Sequence, residues 1–291
     1  MTQQIPVDEA AATGAVLDDG TREVAPDLAY KRLAIVNVAF WGQPGAPGWV
    51  LVDAGLPGTA GLIRRAAAER FGDHAPAAIV LTHGHFDHTG ALATLAEAWQ
   101  VPVYAHPLEH PYLNGQASYP PPDPWVGGGV MALISPAFPR GPVDVAGRLR
   151  ALPEDGSVPP MPGWRWLHTP GHAPGHVSLW RENDRLLLAG DAVITTAQEA
   201  AYGAVTQQTE LHGPPKYFTP DWESARASAR RLAALEPESL LTGHGQALKG
   251  SGMREALHHL ARDFDSVAVP KKGRYVGHAA RAEDGSAYRR P

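Results

Sequence analysis

The sequence predicts an α/β fold with mixed sheets, and three observations lead there. Short apolar runs rich in β-branched residues recur along the chain, Ala-rich stretches with helical spacing lie between them, and the strand-like runs come both in hairpin-like pairs and alternating with helices. The runs are Leu33–Phe40, Trp49–Val52, Ala77–Leu81, Val101–Ala105, Trp164–Leu167, Val177–Trp180, Leu186–Ala189 and Ser239–Leu241. Their length and composition are those of buried strands. The helical stretches are Thr59–Arg70, Ala91–Trp99, Trp222–Leu235 and Met253–Phe264, and the third follows Thr219-Pro220-Asp221, which offers Asp221 as its N-cap.

At 291 residues the chain suits one large domain, residues 1–291, since nothing in it resembles a spacer between independent cores. Two regions lack periodicity. Residues 107–162 form an insert crowded with Pro, Gly and aromatics, and its part from Pro111 to Pro142 has the profile of an active-site lid or a dimer contact. The C-terminal tail, 268–291, is basic and Gly-containing from Pro270 onward, which predicts a surface-draped or disordered end.

Lys and Arg number 25 against 30 Asp and Glu, so the net charge of −5 gives no basic field for nucleic acid. There is no cysteine, which excludes disulfides, thiolate metal sites and a cysteine nucleophile together. The N-terminus has neither a basic start nor an apolar stretch, and no segment approaches the roughly 20 apolar residues of a membrane helix. The expectation is a soluble, cytoplasmic protein acting on a small molecule, with no nucleic-acid or membrane partner and a homodimer as the candidate assembly.

The strongest local signal is His83-Gly84-His85-Phe86-Asp87-His88, directly after the apolar run AIVLT. Alternate side chains of extended chain share a face, so His83 and His85 can reach one ion while the following turn carries Asp87 and His88 toward another. Imidazole suits zinc and its neighbours, and a carboxylate neutralises charge. His172, Asp191 and His244 each sit just past a strand-like run, in WRWLHTPGH, LLLAGD and SLLTGH, where binding sites of sheet proteins gather. Glycines flank these positions, as a backbone that turns tightly near an ion requires. His176 shares a turn with His172 and reads as a hydrogen-bonded supporting residue. His106, His110 and His212 read as surface or core residues.

In that order, THGHFDH, TPGHAPGH, AGDA and TGHG resemble the metallo-β-lactamase superfamily over roughly residues 30–265. The resemblance implies a four-layer αββα sandwich of two mixed sheets with metals at one edge. It implies that His83, His85 and His172 hold one divalent ion, that Asp87, His88 and His244 hold a second, and that Asp191 bridges them. Zinc is the favoured metal, with iron or manganese compatible with the same donors. Two cations would lower the pKa of a shared water, and the resulting bridging hydroxide would attack an ester-like bond, with Asp87 orienting it and passing a proton to the leaving group.

Departures from known members bear on the substrate. Cysteine-dependent zinc β-lactamases are excluded by composition, and the three-histidine kind lacks the bridging Asp. Acyl-homoserine lactonases share the ligands but carry Tyr three residues after the bridging Asp, where this chain has Ile194; Tyr202 or Tyr217 could substitute. Glyoxalase II enzymes also share the ligands, yet TGHGQAL departs from their last motif. A lactone, thioester or carboxylic ester is the leading substrate, with Tyr119, Trp125 and Tyr217 as candidate substrate-loop residues. A phosphodiester is the alternative, for which Arg140, Lys216, Lys271, Lys272 and Arg274 are the basic candidates, and a mono-iron persulfide dioxygenase-like oxidoreductase is the third.

Overall fold

Val50, Leu51 and Val52 are consecutive, point to alternate faces of one sheet, and are all buried. A strand covered on both faces reads as an unbroken apolar run, and Ala78–Val80 and Leu186–Gly190 are of the same kind. The structure, a computed structural model, describes residues 5–8, 11–13, 16–17, 20–126, 129–196 and 210–291. The strands are β1 (Ile5–Pro6), β2 (Arg22–Ala25), β3 (Leu28–Leu33), β4 (Val36–Trp41), β5 (Val50–Val52), β6 (Ala78–Val80), β7 (Val103–Ala105) and β8 (Leu149–Ala151). They continue with β9 (Trp164–His168), β10 (Val177–Arg181), β11 (Leu186–Gly190), β12 (Glu210–Leu211), β13 (Ser239–Thr242) and β14 (Leu248–Lys249).

Strands β2 to β8 make a seven-stranded sheet in sequence order, antiparallel from β2 to β5 and parallel from β5 to β8. A five-stranded sheet runs β14-β13-β11-β10-β9, with β11 and β13 parallel. Between the sheets lies one apolar layer containing Val50, Val52, Val80, Leu179, Leu188 and Leu241. The opposite face of the seven-stranded sheet, with Val38, Phe40, Leu51 and Ile79, packs on Ile63, Phe71, Leu92 and Leu95 of the helices Ala60–Phe71 and Leu92–Trp99. The outer face of the five-stranded sheet, with Leu187, Ala189 and Leu240, packs on Ala229, Leu232, Leu257 and Leu260 of the helices Trp222–Ala233 and Ser251–Arg262. Three apolar interfaces between four layers are the expected αββα sandwich. Asp221 caps its helix as predicted, its carboxylate accepting from Ser224 N at 3.2 Å.

The structure departs from the sequence reading in three places. The run Leu33–Phe40 is not one strand but the tip of the β3–β4 hairpin, reversed at Ala34 with a φ of 57°. The insert is less irregular than expected: it holds the short helices His110–Leu113 and Val130–Ile134, and it supplies β8, which closes the parallel edge of the larger sheet. The C-terminal tail packs against the insert, where Ser118 and Arg289 exchange backbone hydrogen bonds of 2.8 and 2.9 Å. Arg281 reaches Asp221 at 2.7 Å, and Tyr275 donates its hydroxyl to the Pro121 carbonyl at 2.5 Å. Among the described residues no helix is long and apolar enough to cross a membrane.

Candidate metal centre

The two sheets bring their strand ends together on one side of the inter-sheet layer, and each end delivers a donor. His83, His85, Asp87 and His88 follow β6 of the larger sheet. From the smaller sheet, His172 follows β9, Asp191 follows β11 and His244 follows β13. All seven are buried. Their donor atoms fall into three groups, His83–His85–His172, His83–His88–Asp191 and Asp87–His88–His244, with atoms inside each group within 4.8 Å of one another.

Asp191 stands at the centre. Its Oδ2 lies 3.4 Å from His172 Nε2 and 3.0 Å from His244 Nε2, and its Oδ1 lies 3.5 Å from His88 Nε2. Asp87 Oδ2 is 3.4 Å from His244 Nε2. Donors bonded to a tetrahedral ion at its usual 2.0–2.1 Å stand about 3.3 Å apart, so these spacings match the edges of coordination polyhedra. Three buried atoms at the same place have no hydrogen-bond partner: His83 Nε2, His88 Nε2 and Asp191 Oδ1. Such groups normally find partners, and a cation would supply one for all three. The donor set therefore fits metal.

Hydrogen bonds fix how the rings present themselves. His244 Nδ1 donates to the Ile35 carbonyl at 2.6 Å, which turns Nε2 toward Asp191 Oδ2 and makes it the atom that would ligate. His88 Nδ1 meets Asp53 Oδ2 at 2.8 Å, so its Nε2 likewise faces Asp191. His83 Nδ1 contacts Thr82 Oγ1 at 3.1 Å, and His172 Nδ1 contacts Thr219 Oγ1 at 3.4 Å. His176 supports rather than joins the cluster: its Nε2 accepts the Asp191 backbone N–H at 2.9 Å, and its Nδ1 pairs with Thr169 Oγ1 at 2.9 Å.

Burial and neighbouring charge divide the histidines. Burial pushes His83 and His172 well down and His85 to about 3, a shift toward the neutral form that ligation requires. Burial also opposes charge on His88 and His244, but the carboxylates of Asp191 and Asp87, with Asp53 at His88, outweigh it and raise both. Burial alone would raise Asp191, yet His244 and His88 hold it well below the usual carboxylate range. The carboxylates thus demand positive charge at this spot, whether proton or metal ion.

The other predicted residues are more dispersed. The Tyr119 ring lies 4.2 Å from that of His85, centroid to centroid, but it is buried and hydrogen-bonded. Tyr217 is buried against Phe218, whose ring is 5.0 Å from His85. Phe218 continues to Phe138 at 6.2 Å, and Phe138 to Phe86 at 5.3 Å, so an aromatic wall starts at His85. Trp125 is 82% exposed. Ile194 is fully buried and bridges to His212, while Tyr202 lies outside the described residues. His106 stacks on His168 at 4.5 Å, away from the cluster. Of the basic candidates, Arg140 and Arg274 are hydrogen-bonded to the carbonyls of Tyr119 and of Pro121 and Pro122, Lys216 is buried, and Lys271 and Lys272 are exposed.

Sequence reasoning missed three supporting residues. Asp53, with a φ of 61°, accepts from Thr82 N and Thr82 Oγ1 at 2.8 Å each as well as facing His88. It follows the run VLV as Asp191 follows LLLAG, so its strand-end position was a signal. Asn37 reaches across from β4, its Nδ2 donating to the carbonyls of Thr242 and Gly245 at 2.9 and 2.7 Å, and so holds the turn that bears His244. Glu109 lies fully buried in the insert, where burial pushes its carboxyl up to about 7 against the hydrogen bonds that Tyr119, Gly175 and Gly84 donate to it.

Comparison with known proteins places this geometry. A profile of the metallo-beta-lactamase superfamily matches residues 43–244. The chain is 51% identical over 247 residues to the probable metallo-hydrolase YflN of Bacillus subtilis, spanning 84% of this chain and 94% of that one. The probable metallo-hydrolase YybB of the same organism is 30% identical over 173 residues, 60% of this chain and 66% of its own. Among solved structures, TTHA1623 in a di-iron-bound form superposes with a TM-score of 0.50 at 28% identity, covering 78% of this chain and 92% of that one. A beta-lactamase domain protein from Burkholderia ambifaria gives a TM-score of 0.60 at 20% identity over 90% and 81% of the two chains, a likeness of fold.

Proposed function

The chain belongs to the metallo-β-lactamase superfamily, and from that premise we propose that it is a hydrolase that uses two divalent ions to cleave an ester-like bond in a small molecule, a lactone, thioester or other carboxylic ester. One ion would be held by His83, His85 and His172, the other by Asp87, His88 and His244, with Asp191 shared. The observation that carries this reading is the convergence of the partnerless His83 Nε2, His88 Nε2 and Asp191 Oδ1 in one buried cluster. Zinc suits imidazole and carboxylate donors best, and iron and manganese accept the same set.

When bound, the ions would polarise the scissile carbonyl and supply a nucleophile near neutral pH. The protein's own residues do the rest. Asp53, Ile35 and Thr82 fix the rings of His88, His244 and His83 so that their Nε2 atoms stay aimed at the cluster. Asp87, whose Oδ2 lies 3.4 Å from His244 Nε2, would orient the nucleophile and carry a proton to the leaving group. The wall of Phe218, Phe138 and Phe86 beside His85 offers an apolar surface to an acyl or ring group, which favours an ester-like substrate.

The test is metal analysis followed by a substrate panel. Purified protein reconstituted with zinc should take up near two equivalents and hydrolyse a lactone or thioester in a chelator-reversible way. A single equivalent at saturation would refute the two-ion assignment, and activity confined to phosphodiesters would refute the ester reading.

A further inference from the structure

Glu109 ends the short turn Pro107–Glu109 after β7 and is fully buried without belonging to the metal cluster. Its carboxylate is filled by donors from two separate loops. Gly84 N donates to Oε2 at 2.8 Å and Gly175 N donates to Oε1 at 2.7 Å, while the Tyr119 hydroxyl also donates to Oε2. Gly84 lies between His83 and His85, and Gly175 lies in the turn from His172 to His176. One side chain therefore ties together the two loops that carry the His83–His85–His172 group.

The loops are shaped around this carboxylate. A Cβ on Gly84 would stand 2.8 Å from the Tyr119 hydroxyl oxygen and 3.3 Å from Glu109 Oε2. A Cβ on Gly175 would stand 2.8 Å from Glu109 Cγ and 2.9 Å from its backbone nitrogen. The glycines are there to let Glu109 approach. A buried carboxylate is costly unless its lone pairs are met, so its position and the positions of both amides are mutually fixed.

Behind Glu109 the support extends to the C-terminal tail. Tyr119 stacks on Tyr112 at 3.7 Å, the Tyr112 hydroxyl donates to the Ala287 carbonyl at 2.9 Å, and the Tyr288 hydroxyl donates to the Leu108 carbonyl at 3.1 Å.

We propose that Glu109, backed by Tyr119 and the tail, is a positioning residue for the His83–His85–His172 triad, setting the separation of its two loops and hence its affinity for an ion that Glu109 never touches. This rests on the metal-centre reading above. A purely structural role would lower stability and weaken both ions alike, whereas a positioning role acts on one.

The experiment is a zinc titration of the full chain against a chromophoric chelator, resolving the two uptake steps, with cobalt(II) absorption reporting each coordination sphere. Glu109→Gln keeps the size but turns an amide N–H2 toward an N–H that needs an acceptor. It should weaken one ion about tenfold or more, the usual scale for a residue that supports ligands. The loss should persist in a His244→Ala background, where the remaining ion must use this triad. Tyr119→Phe keeps the ring stack, and Gly175→Ala displaces Glu109 from the other side; both should weaken the same ion, and they decide the matter if Glu109→Gln does not fold. Variants that keep both affinities, or lose both ions equally, would overturn the proposal. Wild-type protein that takes up no ion would sink the metal-centre reading first, and this inference with it.

Discussion

Asp53→Asn isolates the contribution of a carboxylate that lies outside the ligand set. The carboxylate accepts three hydrogen bonds, from Thr82 N, Thr82 Oγ1 and His88 Nδ1, each 2.8 Å long. The backbone N–H of Thr82 can only donate, so an asparagine must turn its carbonyl oxygen there. Its amide N–H2 then faces His88 Nδ1. His88 can meet that donor only by shifting its proton to Nε2, the atom 3.5 Å from Asp191 Oδ1 that would otherwise ligate. The alternative is to keep the proton on Nδ1 and forfeit a charge-assisted hydrogen bond worth about 1.5–3 kcal/mol. At about 1.4 kcal/mol per factor of ten, that is a ten- to hundredfold loss of affinity for the ion that uses His88. Competition titration with zinc should show one uptake step weakened by this factor and the other unmoved. Unchanged affinity for both ions would mean that Asp53 does not set the His88 tautomer, and the reasoning would fail.

Four further outcomes follow from the structure. Asp191→Asn should weaken both ions together, because its two oxygens face both sides of the cluster, while His244→Ala should remove mainly one; counting metal per chain separates the cases, and loss of only one ion in Asp191→Asn would make that residue a terminal ligand. Gly243→Ala should abolish metal uptake and hydrolysis, since a Cβ there would fall 2.0 Å from Asp191 Oδ1 and 2.7 Å from His88 Cε1. Gly61→Ala, in the helix Ala60–Phe71 with open space around it, should leave metal content intact and raise stability by about 0.5–1 kcal/mol in thermal melts. Trp125→Ala and Phe138→Ala should alter relative rates across a panel of esters at constant metal content; an unaltered profile together with dissociation of an oligomer would assign that segment to an interface instead.

The layers and the ligands were legible in sequence for a common reason, which is that both are written locally. A strand buried on two faces needs a continuous apolar run, and a ligand at a strand end needs only to follow one, so Val177–Trp180 and LLLAGD could be read without knowing their neighbours. The β3–β4 hairpin was hidden because its reversal uses Ala34 and Ile35 instead of Gly, Asn or Pro, so the end of β3, the turn and most of β4 merged into one apolar stretch. Asn37 lay inside that stretch, and its partners are more than two hundred residues away. Glu109 was invisible for the same reason: a carboxylate in a Pro-rich segment looks solvent-exposed until the loops carrying Gly84 and Gly175 close over it.

The division of the sheets gives the metal centre a second consequence. Every strand of the larger sheet comes from residues 22–151 and every strand of the smaller one from residues 164–249, and the donors divide along the same line, four from the first part and three from the second. An ion held between them is a rivet joining two halves of the molecule. Whatever binds only the joined form shifts the balance toward it by mass action, about 2.7 kcal/mol when the free ion stands at a hundred times its dissociation constant. A chain cut in the connection at residues 152–163 would then reassemble from its two fragments more completely as metal is supplied, the ion adding to the apolar layer and the Asn37 and tail contacts that also join the halves.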